Sequence, residues 1–443
     1  MLYRAGIWVL FILYGLQYYL YSRGLRFLSY LVELAPYTFI ILIATANKSR
    51  LFKRTLSYDI SIKRSFTLLI FFILFAFYRA VPNGYHSSAR FLYNVLLIFI
   101  FTSYFNTYVR YIYSHYDRFT VWSDLVTGLM FVILTNYILL YGFGIESMQA
   151  QTYISTMSSN FGLTESRIFF PIAFNAREYS QYCGLLSVIS FGLLLRNKAN
   201  DRAAKRRNRA LFINIVVGIA TVLIVDARMT LGITIFAMMV LFVLKYRDLR
   251  IPIFFTSILV FLLFPALYFL ALILFKIEID WVSASNTFSG RLYIWATGLI
   301  NFPNLSFVDL LFGKGIFSHA TLGLSQYYGL LFENWVDNSR IQLHNGTIQN
   351  LYDLGIVGLG VFLWFIISMV VPLFKGCRDG KNHDTYWFNV IAMTSILYYQ
   401  GLWVTESTTP LYFLSYLLLL LFFKAVIGTL PSPPGKGVET SKT

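Results

Sequence analysis

Apolar residues in this chain run in long unbroken blocks, not in the alternating pattern of a half-buried strand or the single stripe of a surface helix. Blocks of about 17 to 25 residues, the length a helix needs to cross a bilayer, fall near 5–21, 27–46, 66–82, 90–109, 122–145, 169–195, 210–226, 229–244, 251–275, 353–374, 387–404 and 411–427. The pattern predicts an all-α polytopic membrane protein of about 12 transmembrane helices. One long polar interruption breaks the series. It divides the chain into nine helices over 1–275, a large external loop over 276–350, three helices over 351–428 and a Pro- and Gly-containing tail over 429–443, all within a single membrane domain.

Composition agrees: 57% of the 443 residues are hydrophobic and 13% charged, with a mean hydropathy of +0.63. Charge then sets orientation. Most of the 36 basic residues lie in the connections at 48–64, 110–118, 196–209, 245–250 and 375–384, in the tail from Lys424, and at Arg4. Arg196, Lys198, Arg202, Lys205, Arg206, Arg207 and Arg209 form the densest run. The excess of cations on one side places both termini in the cytoplasm. It accounts for the net charge of +16 without nucleic acid and leaves contact with anionic lipid as a second use. The first apolar block lacks a small-residue cleavage site and is followed by Arg23 and Arg26, so a cleaved signal is not expected. Cys183, in a membrane segment, and Cys377, in a cytoplasmic loop, should stand apart and unbridged.

The cations left for the outer face are Arg23, Arg26, Arg79, Arg90, Arg167, Arg177, Arg228, Lys276, Arg291, Lys314 and Arg340. All but two are Arg, whose planar fork binds phosphate or carboxylate through paired hydrogen bonds. An outward Arg-lined cavity suggests a phosphorylated or acidic substrate. Arg23, Arg26 and Arg90 can instead snorkel to lipid phosphates. Arg228, between two helices that almost touch, sits where a charge is costly and marks a partner or ligand. Arg291 follows the Ser289-Gly290 turn, and His344-Asn345 opens the return to the membrane. The run Gly355-Ile-Val-Gly358-Leu-Gly360 reads as a helix-packing face. Lys314, in Gly313-Lys314-Gly315, lacks the remainder of a nucleotide-binding loop.

Taken together these residues resemble the O-antigen ligase and O-antigen polymerase superfamily of bacterial glycan assembly. The resemblance rests on Arg228 in a small-residue turn, on Ser289-Gly290-Arg291 with Trp295, on Leu311-Phe312-Gly313-Lys314-Gly315, and on His344-Asn345 with Leu351 and Asp353-Leu354-Gly355. Phe174-Asn175-Ala176-Arg177-Glu178-Tyr179 is a further, earlier piece. Asp226-Ala227 precedes Arg228, where the family more often has Ser before the Arg.

The resemblance implies a metal-independent, inverting glycosyltransferase of the GT-C class, without cofactor, in the bacterial inner membrane with its active site facing the periplasm. Its substrate, as donor and acceptor, would be an undecaprenyl-diphosphate-linked oligosaccharide. His344, Arg291 and Arg228 are the expected catalytic residues: two guanidinium groups for the departing diphosphate and an imidazole as base. His344 could equally bind the diphosphate, and Glu178 and Asp353 compete as base. Arg177, Glu178, Asn345, Lys314, Arg340 and Tyr293 are expected to contact diphosphate or sugar, membrane lipid surrounds the whole, and a chain-length regulator protein is a candidate partner. Gln326-Tyr327-Tyr328 to Trp335 could stack on sugar rings or pack the loop on the membrane. The elaborated stretch between Phe317 and Arg340 favours a polymerase, with a ligase acting on lipid A-core as the alternative. A lipid-linked oligosaccharide flippase is the rival of another class. It should show two matched halves, whereas the large loop has no counterpart in the first half.

Overall fold

The computed structural model describes residues 1–46, 60–82, 84, 87–146, 168, 170–172, 176–197, 201–225, 227–245, 291–328, 342–379, 383–405 and 414–428. Every regular element among them is a helix. In order they are α1 (Leu2–Ser22), α2 (Arg26–Ala46), α3 (Ile60–Ala80), α4 (Ser88–His115), α5 (Thr120–Tyr137, extended by a wide turn over Ile138–Gly142), α6 (Ala176–Arg196), α7 (Arg202–Ile224) and α8 (Arg228–Lys245). There follow α9 (Arg291–Asn301), α10 (Phe307–Phe312), α11 (Ser318–Thr321), α12 (Leu324–Tyr328), α13 (Gly346–Asp379), α14 (His383–Thr405) and α15 (Leu414–Gly428).

Among the described residues, 8 helices are long and apolar enough to cross a membrane: α1 to α5, α7, α8 and α13, with a shorter apolar helix over Tyr416–Gly428. The apolar blocks at 169–195 and 387–404 fold as α6 and α14, which are more polar because they carry buried Glu178, Gln181, Asn389 and Gln400 inward. The block at 251–275 and the tail at 429–443 lie outside the described residues. This is a multi-pass membrane protein.

Lipid replaces water around such a bundle, so its apolar exterior is expected, and the informative contacts are the polar ones inside. They sort to two ends. At one, Arg4 meets Asp124 at 2.8 Å, Arg118 donates to Thr385 at 2.8 Å, and Arg196 bonds Asp384 at 3.0 Å. Tyr386 donates there to the Leu244 carbonyl. The start of α1, the ends of α4, α6 and α8, and the starts of α5 and α14 therefore share this basic end. At the other, Ser180 and Thr230 hydroxyls lie 3.0 Å apart and Asn345 Nδ2 donates to the Val404 carbonyl at 2.7 Å. The starts of α6, α8 and α13 and the end of α14 meet there.

The centre of the bundle is α6, against which α7, α8 and α14 all pack; α13 leans on α14 and α3. Before α6 the chain dips inward. Asn136 accepts from the Ile172 N–H at 2.7 Å and donates to its carbonyl at 3.0 Å, a buried two-way pin on Phe170-Pro171-Ile172. Cys183 and Cys377 are buried and unbridged.

Candidate functional site

Over the second end of the bundle, the described part of the polar interruption folds around a small core of its own. Ile294, Trp295, Leu324, Tyr328, Leu343, Ile348 and Tyr352 pack together, apart from the main core. Tyr328 is therefore interior, whereas Tyr327 is exposed. Residues 329–341, with Trp335 and Arg340, lie outside the described residues, as do Asp226 and Ser289-Gly290.

Two left-handed glycines fix this cap to the bundle. Gly355 has φ 71° and ψ −179°, which breaks α13 into an outer piece up to Leu354 and a membrane piece beyond. The carbonyls of Tyr352 and Asp353, released by the break, accept from the N–H groups of Lys314 at 2.8 Å and Gly315 at 3.1 Å. Gly313, with φ 73°, lies so close to the Asp353 main chain, and Gly355 to that of Leu311, that neither position has room for a Cβ. L-residues pay for such dihedrals even without a clash. The expected packing face is thus divided: Gly355 is the break, Gly358 packs on Phe72, and no described residue outside its own helix lies within 4 Å of where a Cβ on Gly360 would stand. The loop–helix boundary expected at 350 correspondingly falls inside a helix that starts at Gly346.

The bracket Leu311–Gly315 also grips α3. Arg79 donates to the Gly313 carbonyl and pairs with Asp309 at 2.9 Å, while Lys314 lies 3.3 Å from the other Asp309 oxygen. Burial pushes the Asp309 carboxyl upward, but the Ser306 hydroxyl, Arg79 and Lys314 outweigh it and hold its pKa below the ordinary carboxylate value. Lys314, expected to contact substrate, thus shares a carboxylate with Arg79 and keeps its side chain only 32% exposed.

Behind the bracket is a fully buried chain of polar groups. Ser318 donates to Asp353, Gln349 Nε2 lies 3.0 Å from both Asp353 Oδ2 and His319 Nδ1, and Gln349 Oε1 accepts from the Leu343 N–H at 3.2 Å. The Leu343 donor and the Asp353 acceptor fix which end of the Gln349 amide is which. His319 Nδ1 must then accept, leaving its proton on Nε2. Asp353, considered above as a base, is already engaged by two donors.

His344 stands at the junction of these parts. It is 4% exposed with φ 50°, a left-handed conformation uncommon outside glycine. The backbone on either side is held. Gln349 takes the preceding N–H, Trp295 Nε1 donates to the His344 carbonyl at 3.1 Å, and Asn345 is clamped next door. Asn345 Oδ1 accepts from the Ile348 N–H at 3.0 Å, capping α13, while its amide reaches Val404. Such strain persists where surrounding structure over-determines it, which is common at functional positions.

The other expected residues fall around this point. Arg291 opens α9 and is partly exposed; its helix is the one that Trp295 ties to His344. Arg228 opens α8 and is exposed. The end of α14 bridges them, since Gly401 packs on Ile233 of α8 and Val404 holds Asn345. Tyr293 donates to the Tyr327 carbonyl at 3.1 Å. Glu178 is buried beneath, accepting from Tyr182 at 3.4 Å. Arg177 is the second residue of α6, with its side chain outside the description. Sequence reading assigned no role to Arg79, Asp309, His319, Gln349, Asn350 or Trp403. Only the outward placement of Arg79 was a signal.

Residues 184–363 match the family model described as O-antigen ligase. No curated relative matches the chain. The matched span runs from α6 into the membrane piece of α13 and includes Arg228, Arg291, the Leu311–Gly315 bracket and His344. Over this segment, 180 of the 443 residues, the chain is similar to the O-antigen ligase family, set within a multi-pass membrane protein.

Proposed function

We propose that the chain is a surface-polysaccharide polymerase of the inner membrane, in which the basic end faces the cytoplasm and the His344 end the periplasm. It would transfer an oligosaccharide from undecaprenyl diphosphate to the terminal sugar of a second lipid-linked repeat unit. The observation that carries the reading is the convergence of the Arg291 helix, the strained His344 turn and the end of α14 that reaches α8 at one end of the bundle.

In the proposed reaction the acceptor hydroxyl oxygen attacks the anomeric carbon of the donor. The new carbon–oxygen bond forms as the bond to the diphosphate oxygen breaks, and the diphosphate leaves with that electron pair. Arg228 and Arg291, with Arg177 and Arg340 as further cations, stabilise its charge. His344 takes the hydroxyl proton. Attack opposite the leaving group inverts the anomeric centre. Asn345, with its amide spent on Val404 and the α13 cap, positions His344, and Glu178 braces the floor through Tyr182.

Polymerase is favoured by the elaborated stretch between Phe317 and Arg340, whose described part packs Leu324 and Tyr328 into the cap's own core. Ligase is the second reading, favoured by the description of the matching family. A gel of surface glycan from a deletion strain separates them. Lipid A-core capped with a single repeat identifies a lost polymerase, and long unlinked polymer a lost ligase. Arg291→Ala and His344→Ala should each abolish the product at unchanged protein level; full activity in both would refute the site.

A further inference from the structure

Beside His344, the first turns of α13 carry neutral polar side chains with no hydrogen-bond partner among the described residues. Asn350 is fully buried, yet neither its Nδ2 nor its Oδ1 has a hydrogen-bond partner among the described residues. The same holds for the buried Thr347 Oγ1 and for Nε1 of Trp403, itself 0% exposed. These groups are neighbours. The indole of Trp403 lies directly on Gly346, leaving no space for a Cβ there. Asn350 is one helical turn further along the same stripe, and Thr347 flanks it at i−3. Trp403 also adjoins Val404, whose carbonyl holds Asn345.

Burying a carboxamide, a hydroxyl and an indole N–H without partners costs free energy, and native proteins rarely tolerate it without a use. None of the three is charged, so they suit an uncharged ligand and not the diphosphate, which the arginines serve better. A carboxamide offers donors and an acceptor, a hydroxyl offers both, and an indole offers one donor over an apolar face. That set matches adjacent hydroxyl groups on a pyranose ring.

We infer that Asn350, Thr347 and Trp403 form a sugar subsite that hydrogen-bonds the hydroxyls of the pyranose ring lying next to His344. This rests on the glycan-transfer reading of the site. It assigns recognition of the sugar to α13 and α14, and recognition of the diphosphate to the arginines.

The test uses the full chain purified in detergent and two probes: undecaprenyl-diphosphate-linked oligosaccharide extracted from the source cells, and undecaprenyl diphosphate without sugar. Asn350→Leu should weaken binding of the glycan-bearing lipid about tenfold and leave the sugar-free lipid unchanged. Its Tm should stay level or rise, because an apolar group of similar size replaces an unpaired amide. Thr347→Val, a smaller change, should act in the same direction and carries the test if Asn350→Leu does not fold. Unchanged binding of the glycan-bearing lipid overturns the subsite. So does a lowered Tm with both lipids weakened in parallel, which is the mark of a structural role. If wild-type protein binds neither lipid, the glycan-transfer reading fails together with the subsite.

Discussion

Trp295 Nε1 donates a 3.1 Å hydrogen bond to the main-chain carbonyl of His344, tying the helix that opens at Arg291 to the turn that carries the histidine. Trp295→Phe keeps most of the ring packing and removes this donor. A net hydrogen bond contributes about 0.5–1.5 kcal/mol, small against total stability but aimed at one strained backbone. Product should fall about tenfold with protein level unchanged, read by densitometry of the surface-glycan ladder. A wild-type ladder would show that the bond is dispensable.

Gly313→Ala and Gly355→Ala should each destabilise the protein by more than the roughly 1–2 kcal/mol of a left-handed L-residue, because each Cβ also meets the opposing main chain. The two glycines belong to one joint, so the double variant should lose much less than the sum of the singles. Thermal unfolding of the three purified variants measures this; simple additivity would contradict the interlock.

Asp309 titrates below its ordinary value in the folded protein. Its contribution to stability is therefore complete above the unfolded-state pKa, about 3.9, and is lost as pH falls through the lower folded-state value. The Tm gap between wild type and Asp309→Asn should be constant from neutral pH down to the unfolded-state value of about 3.9 and close below it. A gap that closes on the alkaline side would have the wrong sign.

At the opposite end, buried Asp124 accepts from Arg4, from Trp8 Nε1 at 2.9 Å and from Tyr108 at 2.9 Å. Arg4→Leu strands that carboxylate in the bundle, at a cost of about 3 kcal/mol. Arg4→Leu with Asp124→Leu should recover part of the loss. Membrane abundance and Tm report it, and equal loss in the single and double variants would show that charge is not the cause.

The apolar blocks made most of the bundle legible, since length and apolarity alone place a spanning helix. The order of Arg228, Arg291, Leu311–Gly315 and His344 made the family resemblance legible. What joins them was not. Arg79 meets Asp309 across 230 residues, and no local pattern marks that pairing. Lys314 looked like a free cation although its partner Asp309 lies only five residues upstream, because the turn through Gly313 that brings them together rests on a positive φ. His319 and Gln349 are ordinary polar residues in sequence and become a connected chain only when α11 lies on α13. The glycine run read as a packing face because spacing cannot reveal a positive φ. His344 hides its strain for the same reason.

The part of the cap between the Leu311–Gly315 bracket and α13 is moored at both ends to helices outside it, Ile316 to the Ala76 carbonyl of α3 and Asn345 to the Val404 carbonyl of α14. The chain between these two moorings can therefore be exchanged as a cassette. Grafting residues 316–342 from a relative that handles a different repeat unit should carry over the relative's choice of glycan, while Arg228, Arg291 and His344 stay with the host.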